Sequence, residues 1–98
     1  MALNTKIPLA AHRKSLKQAF VMREIDKIVK DKEKRGIFPA RATWRELRDI
    51  FQAEHWPILD ELVELGRVTR QNTINYPTYT VDWPKVHADE AWANKVTR

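Results

Sequence analysis

A small α+β domain, mainly helical with one β-hairpin, is the fold class this chain predicts. Three observations predict it. Leu16, Phe20, Met22, Ile25, Ile28 and Val29 recur at helical spacing. Thr43-Trp44-Arg45-Glu46 is a capping-box pattern, which marks a helix start. After Gly66 the period changes, and Val68, Thr69, Ile74, Tyr76, Tyr79, Thr80 and Val81 are strand formers. With 98 residues the chain makes one domain, 1–98. A chain of this size buries about 65% of its unfolded surface, enough for one modest core.

Residues 1–14 lack clear periodicity, are interrupted by Pro8 and end in the basic cluster His12-Arg13-Lys14. They read as an N-terminal arm. The first helix is predicted over 15–35, with Ser15 as its cap and Gly36 as the left-handed residue that closes it. Its last turns, Lys30 to Arg35, are polar throughout and are expected in water. Asp26 with Lys30 and Asp31 with Arg35 form i,i+4 pairs with the acid first. Ile37-Phe38-Pro39 either pins the following loop to the core or forms a short edge strand.

A second helix follows from Thr43, with Trp44, Leu47, Ile50 and Phe51 as its apolar stripe. Ala53 to Trp56 breaks the pattern, and Pro57 restarts a helix, since its missing amide is harmless in a first turn. Ile58, Leu59, Leu62, Val63 and Leu65 are its buried side, and Gly66 ends it. Asn72 to Asn75 is the expected turn of the hairpin. Pro84 to Val96 reads as a last helix, in a C-terminal extension over 82–98. Trp44 is expected in the core, and Trp83 and Trp92 either pack back or meet another subunit.

The net charge of +5 is unevenly spread. Residues 1–35 carry ten basic and four acidic side chains, 36–66 three and six, and 67–98 five and three. Basic ends raise the local concentration of polyanions. There is no Cys, which excludes disulfides, thiolate metal sites and a Cys nucleophile. His12, His55 and His87 have no partner at i+3 or i+4, so no metal site is expected. Ser15 is the lone serine, and with Gly36 and Gly66 the only glycines no phosphate-cradling loop exists. The reading is therefore not an enzyme, with no cofactor. No apolar run approaches the roughly 20 residues that span a bilayer, and a cytoplasmic protein without membrane contact is expected.

The order helix, helix, turn, helix, glycine, hairpin over 15–81 resembles the winged helix-turn-helix family. The carriers are Thr43-Trp44-Arg45-Glu46-Leu47, then Leu59, Leu62, Val63, Leu65, Gly66, Arg67 and Val68, then Tyr79-Thr80-Val81. The resemblance implies three core helices plus a wing, and double-stranded DNA as the partner. It implies that the helix after the turn lies in the major groove, while the start of the preceding helix and the hairpin hold phosphates. The DNA-contacting set that follows is Arg41, Thr43, Arg45, Arg48, Gln52, His55, Trp56, Arg67, Arg70, Gln71, Asn72, Thr73 and Asn75. Arg41, Arg45, Arg48 and Gln52 share one face if their helix begins near Arg41. Guanidinium groups match phosphate oxygens bidentately.

One element argues the other way. The outward face of the groove helix is Pro57, Asp60, Glu61 and Glu64, without a basic residue. Carboxylates facing phosphates are repelled, although acids near a helix start also complement its dipole. The function predicted is a small DNA-binding regulator or accessory factor that contacts phosphates. The alternative is a protein-interaction module, through this acidic helix or the Trp-bearing C-terminus, or a homodimer.

Overall fold

In a computed structural model that describes residues 9–96, with side-chain surroundings for 13–92, the elements run α1 (Leu9–Lys34), β1 (Ala42–Thr43), α2 (Trp44–Arg48), α3 (His55–Glu64), β2 (Val68–Asn72), β3 (Pro77–Val81) and α4 (Trp83–Val96). The three strands form one antiparallel sheet in the order β1-β3-β2. Val68 stands opposite Val81 and Asn72 opposite Pro77 in the hairpin, and Ala42 stands opposite Tyr79 on the other side of β3.

α1 begins at Leu9, so residues 9–14 of the expected arm are helical; residues 1–8 lie outside the described ones. Ser15 is consequently an exposed residue inside the helix and caps nothing. Ala10, Ala11 and the long side chains of Arg13 and Lys14 are good helix formers, which explains the extension beyond the serine. The buried stripe of α1 is Val21, Met22 and Ile25, flanked by Phe20, Ile28 and Val29. The pairs Asp26–Lys30 and Asp31–Arg35 form at 3.6 and 3.0 Å.

The end of α1 is closed as its glycine suggests. Gly36 has φ +74°, its amide donates to the Glu33 carbonyl, and the Ile37 amide donates to the Lys32 carbonyl. α3 ends in the same way at Gly66, φ +78°, with Gly66 N–H on Val63 O and Arg67 N–H on Leu62 O. Both are the paired closing bonds of a Schellman end.

Ile37-Phe38-Pro39 neither pins a loop nor forms a strand; it is an exposed bend, with Phe38 70% exposed. The edge strand forms one step later, at Ala42–Thr43, because Ala42 is small enough to bury fully beside β3. Thr43 is both the last residue of that strand and the cap of α2. Its hydroxyl accepts from the Glu46 amide, and its own amide donates to Glu46 Oε1.

α2 is short, and its apolar stripe is only half buried. Leu47 and Phe51 are in the core, whereas Trp44 and Ile50 are exposed. The core joins these two with α1, Ala42, Leu59, Leu62, Val68, Tyr79 and Val86. α4 is capped by Asp82, whose carboxylate accepts from the Lys85 amide. Trp83 packs back and donates its indole N–H to Asp26 of α1, while Trp92 is left 68% exposed.

Candidate nucleic-acid interface

The residues singled out in the sequence fall into three groups once folded. Arg45 and Arg48 project from α2 into solvent. Arg41 precedes that helix and Gln52 follows it, so the expected four-residue face from Arg41 to Gln52 does not form: the capping box starts the helix at Trp44, after Arg41. Among the described residues no carboxylate lies within ion-pair distance of Arg41 or Arg45, and Arg48 has only Asp49, at 3.8 Å. The Arg48 guanidinium lies over the Trp44 ring, 5.3 Å from its centre.

The second group is engaged within the fold. Thr43 is engaged in the capping box. The His55 side chain is 12% exposed; its Nδ1 accepts from the Gln52 amide, and its ring packs against Phe20 and Phe51 at 4.8 and 5.5 Å. This histidine is thereby a fastener of the α2–α3 turn. Trp56 is half-buried, edge-on to Phe51 at 5.4 Å and 6.3 Å from Trp44. The Thr73 hydroxyl closes its own loop by donating to the Tyr76 carbonyl and accepting from the Tyr76 amide.

The third group holds the cations of the hairpin, and each has a carboxylate partner. Arg67 Nε donates to Asp89 of α4 at 2.8 Å. Arg70 reaches across to Asp60 on α3 and lies over the Tyr79 ring at 5.6 Å. Gln71, Asn72 and Asn75 are exposed around the hairpin tip, where Ile74 stands fully in solvent.

The acids of α3 are therefore compensated within the fold. Asp60 takes Arg70 from the hairpin. Glu61 takes Lys14 at 2.7 Å and the Gln18 side-chain amide at 2.8 Å, both from α1. Lys14 holds the Glu61 carboxyl below its ordinary range, against the opposing effect of burial. Just before the helix, Glu54 takes Lys17 at 3.1 Å and is lowered in the same way. Glu64 is exposed, with no such partner among the described residues. Arg13, Lys14 and Lys17 line an open groove with Pro57, Ile58 and Glu61, so the basic start of α1 runs beside the start of α3.

These α1 contributions are what sequence reasoning missed. Lys14 and Glu61 are far apart along the chain, and the only signal was the basic cluster itself. The approach to α2 hides a similar case. Lys32, expected in water, has a side chain 14% exposed and donates to the Arg41 carbonyl and to Glu46, each at 2.7 Å.

Among the described residues no group of three or more His, Asp or Glu is placed to hold a metal ion. No described helix is long and apolar enough to cross a membrane. Comparison with protein-family models, with curated proteins and with solved structures finds no match.

Proposed function

We propose that the chain is a winged helix that binds DNA through phosphate contacts, as a small regulator or accessory factor. The observation that carries this reading is the internal pairing of the α3 acids. Asp60 and Glu61 are matched by Arg70 and Lys14, which removes most of the repulsion that three carboxylates would meet beside a phosphate backbone. The element order α1-β1-α2-α3-β2-β3 around an antiparallel sheet of order β1-β3-β2 supports the fold part. Arg45 and Arg48, open on α2 beside Arg41, are the first phosphate ligands of the proposal. Gln71, Asn72 and Asn75 at the hairpin supply neutral donors for phosphate and sugar. Arg67 and Arg70 serve only by exchanging Asp89 and Asp60 for phosphate, so they rank second.

Fluorescence anisotropy with mixed-sequence duplex DNA at several salt concentrations tests the reading. Affinity is expected to fall along a log–log slope near −0.9 per phosphate contact, about −2 for the two α2 arginines alone. Absence of binding at low salt discards the proposal. A second reading, a protein-interaction module, is favoured by Trp92, 68% exposed on α4 next to the exposed Leu65. It takes precedence if no DNA binds and Trp92→Ala abolishes a self-association seen by sedimentation.

A further inference from the structure

Trp44, expected in the core, is placed against that expectation. It is the first residue of α2, and it is 39% exposed. It is nevertheless braced from behind. Its ring stands 6.3 Å from Trp56 at 36°, Trp56 meets Phe51 edge-on at 5.4 Å, and Phe51 continues to His55 and Phe20. An aromatic column thus runs from the core to the surface and ends on an open indole.

The open indole carries one arginine, with two more close by along the chain. Arg48 sits over its face, and Arg41 and Arg45 flank it in the chain without a carboxylate in ion-pair distance among the described residues. The nearby acids are accounted for. Glu46 is turned to Lys32 and Thr43, Glu54 is held by Lys17, and Asp49 lies 3.8 Å from Arg48. A flat π-face with a guanidinium beside it matches a base and its phosphate. In an intact duplex the phosphates are available but the base faces are stacked on one another. Only an unpaired base offers a face to Trp44.

We infer that the Trp44–Arg48 surface stacks an unpaired base, so that the preferred ligand is DNA with a single-stranded stretch rather than blunt duplex. The inference rests on the DNA-binding reading above and names its substrate class. The Arg48 guanidinium, itself planar, either moves off the indole or sandwiches the base against it.

The test uses the full chain and three fluorescein-labelled DNAs: an oligothymidine of about 12 nucleotides, a blunt duplex, and the duplex with a single-stranded overhang. Tightest anisotropy binding is expected for the single strand and the overhang. Trp44→Ala is expected to weaken these on the order of tenfold and to leave blunt duplex within about twofold. Trp44→Phe keeps a stacking face and is expected to recover most of the loss. The thermal midpoint of each variant, read by circular dichroism, separates stacking from folding. Binding to blunt duplex with a normal salt slope, but indifferent to Trp44→Ala on every DNA, overturns this inference and leaves DNA binding standing. Binding to no DNA at low salt overturns both.

Discussion

Glu46 is the residue on which the start of α2 depends. Its carboxylate accepts from the Thr43 amide and hydroxyl and from Lys32, while Lys32 also ties down the Arg41 carbonyl. One carboxylate therefore joins α1, β1 and α2, and it fixes where Trp44 and the arginines project. Burial raises the affinity of this carboxyl for a proton, but the hydrogen bonds from Lys32 and Thr43 outweigh it. The net effect holds the carboxyl below its ordinary value of 4.5. A group lowered in the folded state adds stability above its unfolded value, and this is lost as pH falls through the folded value. Glu46→Gln is thus expected to lower the thermal midpoint at pH 7, and the gap from the parent protein is expected to narrow as pH falls below 4.5 and the carboxyl takes up its proton. Glu54, Glu61 and Asp89 are also lowered but titrate in both proteins, so they cancel in the difference. A gap independent of pH would mean that Glu46 acts by packing, not by charge.

Among the elements, α3 is fixed at its C-terminal end, while its N-cap residue Glu54 makes no side-chain capping bond. At its C-terminus Gly66 holds φ +78° and closes two carbonyls of the last turn. A Cβ built there meets only the Lys85 side chain at 3.7 Å, so the cost of a substitution is that of the backbone conformation. Gly66→Ala is expected to destabilise by about 1 kcal/mol, lowering the melting midpoint by roughly 4–8 °C. Gly66→Asn is expected to lose less, since Asn tolerates the left-handed region. Equal losses in a circular-dichroism melt would show that the residue is limited by space instead. This end was legible in the sequence, as were the capping box at Thr43 and the hairpin, because each is dictated by residues a few positions apart. The strand at Ala42–Thr43 was not, since two residues carry no period and pair only through the distant Tyr79 and Thr78. The exposure of Trp44 was hidden for a related reason. A capped five-residue helix presents too short a stripe to bury all of its apolar side chains, and Leu47 and Phe51 take the core positions.

At the scale of the whole molecule, the charge pattern along the chain and the charge pattern in space differ. The acidic middle of the sequence sits between a basic α1 and the hairpin, and exchanges ion pairs with both. Such exposed pairs contribute little to stability, so their main effect is on the field that a polyanion meets. Two substitutions on α3 and α1 therefore have opposite expected effects. Asp60→Asn removes a negative charge and frees Arg70, which gains a phosphate in place of a carboxylate. Duplex affinity is expected to rise several-fold, and the log–log salt slope to steepen by about 0.9. Lys14→Gln leaves Glu61 without its cation beside the same helix, and affinity is expected to fall by a similar factor. Neither change should move the thermal midpoint by more than a few degrees. Anisotropy titrations of both variants decide the orientation of the bound molecule. Opposite shifts place α3 against the DNA. If both variants bind like the parent protein, α3 faces away, and the arginines of α2 make the contact without it.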